Sequence, residues 1–147
     1  MKSKYFPNSF YRVSVKGLCV RDGKLLLVKE PQELSGQWEL PGGGLDFGES
    51  PRAGVEREVE EEMKLNVVSV SEQPLYVWTN KFENRRNIDW YYSVVLAYVI
   101  DLDNLDFTPT DECEDVQFFS KEELQTADLH HQAVPVRDFF NPDDFNS

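Results

Sequence analysis

An α/β fold, with a mixed β-sheet held between helices, is what this chain predicts, and three observations lead there. A hairpin signal and apolar runs precede one long helix-like stretch; further strand-like runs and a short helix follow it; and one late run is apolar on both faces. At 147 residues the chain is long enough to bury a real core. No composition shift marks a boundary, so residues 1–147 are expected to form a single domain.

Taken in order, residues 12–20 and 24–29 read as strands joined through Asp22-Gly23, a strong hairpin dipeptide. Residues 37–40 make a short strand ending at Pro41, and 42–49 a loop. A helix opens with Ser50 as N-cap and Pro51 at the first helical position. Val55, Val59 and Met63 recur every four residues, which gives the helix a stripe to bury. Strands are expected at 67–71 and 74–79, then a polar loop from Asn80 to Asn87 and a long run from Ile88 to Asp101. In that run Trp90, Tyr92, Val94, Leu96, Tyr98 and Ile100 share one face, while Tyr91, Val95, Ala97 and Val99 dominate the other. A strand apolar on both sides belongs in the middle of a covered sheet. A strand at 115–119 leads into Ser120-Lys121-Glu122-Glu123, a capping box that opens a second helix.

The net charge of −12 argues against non-specific binding to nucleic acid or an anionic membrane, and disfavours removal of the cap from RNA. No apolar run approaches a membrane span, and the first ten residues lack the apolar centre of a secretion signal, so a cytoplasmic location is the default expectation. Cys19 and Cys113 form no framework and read as reduced, packed thiols.

The chemistry concentrates in residues 43–65, GGLDFGESPRAGVEREVEEEMKL. Glu58, Glu61 and Glu62 fall at i, i+3 and i+4, which places them on one helix face within an arc of roughly 100°. Like charges so placed each cost a helix about 0.2–0.5 kcal/mol unless solvent screens them or a cation bridges them. Taken alone, the run Glu60-Glu61-Glu62 reads as a solvated face. Oxygen-only ligands at this spacing otherwise suit a hard ion, Mg2+ or Mn2+, and with it phosphate chemistry. Four glycines, Gly42, Gly43, Gly44 and Gly48, stand within seven positions before the helix, which suits a backbone that comes close to metal or phosphate.

The register settles which reading is carried forward. Gly43, five residues, Glu49, seven residues, then Arg57-Glu58-Val59-Glu60-Glu61-Glu62-Met63-Lys64-Leu65 resembles the signature box of the Nudix hydrolases, approached through Trp38-Glu39-Leu40-Pro41-Gly42. The resemblance implies the Nudix-type α/β/α sandwich, with Glu58, Glu61 and Glu62 as metal ligands, the Gly42 carbonyl as a further one, and Glu58 as the general base of some members. It also implies that Glu49 and Arg57 brace the loop against the helix, and that an acidic residue before the last strand contributes, for which Glu112 is the candidate; a solvated acidic turn is an equal reading of that loop. The one departure is Lys64, where the family pattern has glycine. Either Lys64 closes the helix in the left-handed conformation or the helix runs on to Asn66, and the second is the expectation.

The reaction so implied is attack of water on phosphorus in a diphosphate bridge, assisted by Mg2+ or Mn2+. The substrate is a small molecule, a nucleoside diphosphate linked to another moiety or a nucleoside triphosphate, with neither nucleic acid nor membrane as partner and a homodimer left open. Arg85 and Arg86 are candidates to grip phosphates, and Trp78, with Trp90 and Tyr76 as alternatives, to stack a base; solvated arginines and core aromatics are the competing readings. His130 and His131 read as surface residues. The rival class is a binding module that senses a nucleotide without cleaving it; the complete glutamate set speaks against it.

Overall fold

The computed structural model describes residues 10–85 and 88–145, leaving aside the side chains at 84, 85, 88 and 89. Its backbone is organised by one strand. Strand β8 (Ile88–Leu102) pairs in parallel with β1 (Tyr11–Leu18) along one edge. Along the other it pairs antiparallel with β7 (Tyr76–Arg85) and then β6 (Val67–Val70). β5 (Gly42–Gly44) adds antiparallel to the free edge of β1. The mixed sheet therefore runs β5-β1-β8 and on to β7 and β6, with the doubly apolar strand at its centre. A second sheet gathers β2 (Val20–Arg21), β4 (Trp38–Glu39) and β9 (Asp115–Phe119) around β3 (Lys24–Lys29). Asp22 and Gly23, both at positive φ, make the β2–β3 turn as expected. β1 and β2 belong to different sheets, and the chain crosses between them at buried Cys19.

Helix α1 (Pro51–Met63) lies on one face of the mixed sheet. Its stripe of Val55, Val59 and Met63 is fully covered, packing with Val15, Tyr98, Ile100 and Leu102. On the opposite face the short helices α2 (Lys121–Leu124) and α3 (Val136–Phe139) bring Leu124, Val136 and Phe140 against Leu18, Ala97 and Leu40. Leu25 to Val28 of β3 are all buried and feed the two cores alternately, which is how the second sheet joins the layers. The mixed sheet thus sits between helices, and α1 begins as expected, Ser50 Oγ accepting from the Ala53 N–H.

Four local expectations are corrected. Residues 42–44 are a strand, not loop, because three glycines let the chain lie flat on β1. The polar stretch from Asn80 continues β7 as far as Arg85, cross-strand pairing with β8 outweighing its poor strand composition. Helix α1 stops at Lys64 itself, which takes φ 57° and ψ 34° and donates its N–H to Glu60 O at 2.8 Å. Glu60 does not face water as its sequence position suggests: its carboxylate accepts the Val67 N–H at 3.0 Å, and that bond pulls the chain out of the helix towards β6. A left-handed lysine costs about 1–2 kcal/mol. Lys64→Gly is therefore expected to stabilise the fold by about 1 kcal/mol after the added chain entropy of glycine, or about 2–4 °C in calorimetric Tm. An unchanged Tm would mean the turn is unstrained.

Candidate active site

The site forms where β5, the C-terminal half of α1 and the polar face of β1 meet. Gly42 has φ 137°, and a side chain there would collide with the Val15 carbonyl, so only glycine lets β5 approach β1 this closely. The reward is local: the Gly42 N–H donates to Glu62 Oε1 at 3.1 Å, tying the strand to the last turn of α1. A Cβ on Gly43 would sit 2.5 Å from Glu58 Oε2, so that bare backbone makes room for the second carboxylate.

Arg57 organises the rest. Its guanidinium donates to both oxygens of Glu49, at 2.7 and 2.8 Å, to Glu58 Oε1 at 2.8 Å and to the Gly44 carbonyl at 3.3 Å, with Glu61 Oε2 at 3.5 Å. Glu49 and Arg57 thus clamp the loop to the helix, in the positions expected of them. The Arg57 hydrogen bonds hold the Glu49 carboxyl down to about 2. Glu58 and Glu61 lean on Arg57, and among the described residues no acidic, histidine or cysteine trio is gathered on one point. Each carboxylate nevertheless keeps one oxygen without a donor among the described residues: Glu58 Oε2, Glu61 Oε1 and Glu62 Oε2. The donor type of that oxygen-only set fits a hard divalent cation. Burial pushes the Glu62 carboxyl up to about 8; nearby Lys16 and the Gly42 N–H offset this only in part, while Glu39 and Glu30 add to it. The half-buried carboxylate is under-compensated by the protein alone, which is the condition a bound cation relieves.

Beneath β5 lies a pocket of about 170 Å³ bounded by Glu62 and the three strand glycines. β1 floors it with Arg12, Ser14 and Lys16. Lys16, 5% exposed, lies 3.9 Å from Glu39 and donates to the Leu40 carbonyl at 3.3 Å. Glu39, equally buried, also meets His130 Nδ1 at 3.1 Å. Burial pushes the Glu39 carboxyl up, yet Lys16, His130 and the Leu40 N–H together hold it below its ordinary value. Gln132 closes the floor, donating to Ser14 and Ser93 Oγ at 3.3 Å each. Phe82 and Tyr91, stacked at 5.3 Å, form a wall.

Several sequence-derived candidates lie elsewhere. Glu112 is exposed in the turn before β9; it shares a shallow hollow with Glu61, while Thr110 of the same turn bonds the Glu62 carbonyl at 2.7 Å. Trp78 is a packing residue: its Nε1–H donates to the Gln132 carbonyl at 2.8 Å and its ring packs on Phe139, outside the pocket lining. Tyr76 donates to Asp144 at 2.6 Å. Trp90, on the face opposite Tyr91, stands exposed under Lys81. Arg85 ends β7, opposite Ile88, with its side chain outside the description, and Arg86 lies outside the described residues. His130 is no surface residue, since its ring is held on Glu39 and stacks on His131 at 4.2 Å. Lys16, Glu39, His130 and Gln132 were missed because they converge from distant segments. One signal was available for β1: the alternation Arg12-Val13-Ser14-Val15-Lys16 gives an inner strand one polar face, which needs a polar site to point into.

The NUDIX domain model matches residues 10–139 of the chain. The chain belongs to this family. A MutT-like protein of Streptomyces ambofaciens is 48% identical over 58 residues, which are 39% of this chain and 36% of that protein. A putative 8-oxo-dGTP diphosphatase 2 of Mycobacterium tuberculosis is 40% identical over 62 residues, 41% of this chain and 44% of its own length. The chain thus spans less than half the length of these two relatives in the matched region. Among solved structures, the E. coli ORF135 protein superposes with a TM-score of 0.67 at 25% identity, covering 88% of each chain.

Proposed function

We propose that the chain is a hydrolase of phosphoric anhydrides, dependent on Mg2+ or Mn2+, that acts on a nucleoside triphosphate or on a nucleoside diphosphate linked to a further moiety. The observation that carries this reading is the trio of donor-free carboxylate oxygens on Glu58, Glu61 and Glu62 beside a glycine strand that leaves its backbone bare. These carboxylates and the Gly42 carbonyl would hold the cation. The chemistry a divalent ion would supply there is Lewis-acid neutralisation of phosphate charge, which would make phosphorus easier to attack. Arg57 keeps Glu58 and Glu49 in place from one side. From the other, buried Lys16 supplies a fixed positive charge near Glu62. Glu58, with its Oε2 free of a donor among the described residues, would take a proton from water, and Glu112 is kept as a contributor from the facing turn.

No described helix is long and apolar enough to cross a membrane, and a cytoplasmic setting with small-molecule partners is the proposed context. A nucleotide panel with Mg2+ and Mn2+, read as phosphate, pyrophosphate or mononucleotide released, tests the activity. Turnover of at least one nucleotide is expected. Tight binding with no product after long incubation would identify a non-catalytic sensor instead.

A further inference from the structure

Among the arginines with described side chains, four donate to protein oxygens: Arg21 to Asp101, Arg52 to the Val70 carbonyl, Arg57 to Glu49, and Arg137 to the Leu124 and Ala127 carbonyls. Arg12 does not. Among the described residues its guanidinium makes no hydrogen bond or ion pair, although the chain carries a net charge of −12 and Glu30, Glu39 and Glu62 line the same pocket. It is half-buried and lines the same pocket as Glu62 and β5. Its Nη2 lies 3.0 Å from where a Cβ on Gly44 would stand, so the guanidinium occupies the space that glycine vacates.

The β1–β5 register sets the spacing. Gly42 lies opposite Lys16 and carries the Glu62 contact, whereas Gly44 lies opposite Ser14, under Arg12. Two residues of strand, about 7 Å, separate the carboxylate end from the cation end. That is the scale of a diphosphate. An unpaired planar fork of donors at that distance matches the non-bridging oxygens of a phosphate.

We propose that Arg12 is a substrate-binding residue whose guanidinium takes the non-bridging oxygens of the phosphoryl group next to the one held at Glu58, Glu61 and Glu62. The proposal rests on the phosphoanhydride reading for its ligand, and no bond is made or broken at Arg12.

The test is calorimetric titration of inorganic pyrophosphate, in Mg2+, into the wild type and into Arg12→Ala, Arg12→Lys, Gly44→Ala and the Arg12→Ala/Gly44→Ala double variant. Arg12→Ala should weaken binding about 10- to 100-fold. Lysine should restore only part, keeping the charge without the fork. Gly44→Ala should also weaken binding, because its methyl displaces the guanidinium, and should add nothing once Arg12 is gone. All variants should melt close to the wild type, since no described bond of Arg12 is lost. Equal affinity of Arg12→Ala and the wild type overturns the proposal, as does a wild type that binds no pyrophosphate. Turnover in the nucleotide panel decides the hydrolase reading separately: it can stand while Arg12 fails, and Arg12-dependent pyrophosphate binding can stand without turnover.

Discussion

Glu62→Gln is expected to lose at least about a hundredfold in turnover, the upper end of what even the outer-shell partners of bound metals cost, while the fold stands. Glutamine keeps the shape, and its carbonyl oxygen can accept the Gly42 N–H that Glu62 Oε1 accepts at 3.1 Å. What it lacks is the charge and ligand strength of the second oxygen. Stability in a chelator separates this role from a structural one. The Glu62 carboxyl, pushed by burial from 4.5 to about 8, binds its proton more tightly folded than unfolded. Its contribution to stability is therefore full below 4.5 and lost as pH rises through about 8. Glutamine does not titrate, so the variant should escape this decline and melt at or above the wild type near pH 8. Divalent cation should raise the wild-type Tm and leave the variant's nearly unmoved. Undiminished turnover, or a variant that melts far below the wild type in chelator, would remove Glu62 from the metal-holding role.

The second large loss is expected at Arg57. Arg57→Ala removes at once the fork on Glu49, the bond to Glu58 and the bond to the Gly44 carbonyl. Glu49, Glu58 and Glu61 are then left without their shared cation. Turnover should fall about 10- to 100-fold through misplacement of Glu58 and β5. Arg57→Lys should recover little, because one ammonium cannot span both Glu49 oxygens and Glu58. The pH dependence identifies the brace. Glu49 has its carboxyl lowered from 4.5 to about 2 by Arg57, so its contribution to stability is present above 4.5 and lost as pH falls towards 2. The variant lacks that contribution already at neutral pH. Thermal melts from pH 2 to 7 should show a lower neutral Tm and a flatter acid limb than the wild type; superimposable curves would mean the brace is idle.

The parts of the site readable in the sequence are those that local geometry dictates. Glu58, Glu61 and Glu62 share a helix face by periodicity alone, Ser50-Pro51 places the start of that helix, and the spacing to Gly43 and Glu49 carries the loop with it. The centre of the sheet was legible for a similar reason, since a run apolar on both faces has only one place to go. The pocket floor is different in kind. Lys16, Glu39 and His130 meet because β1 receives β5 and because the chain after α2 returns to β4, where the Trp38 and His130 backbones bond at 2.8 Å. No periodicity links residues 16, 39 and 130. The aromatic candidates failed on direction: Trp78 and Trp90 are both on strands, but one faces the packed core and the other the far side of the sheet. Lys64 was misjudged because a tertiary bond, Glu60 to the Val67 N–H, outweighs the local cost of a left-handed lysine.

The parallel ladder between β1 and β8 also governs the order in which the protein can be made. Its partners, from Tyr11↔Tyr92 to Leu18↔Val99, stand 81 residues apart in the chain. The signature helix and glycine strand therefore leave the ribosome well before the strand that anchors β1. Until residues 92–99 emerge, β1 offers one bare edge and the apolar stripe of α1 lacks Tyr98 and Ile100 to cover it. Nascent chains arrested before that point should be the protease-sensitive and chaperone-bound ones, and maturation of the carboxylate site should coincide with closure of this single long-range ladder.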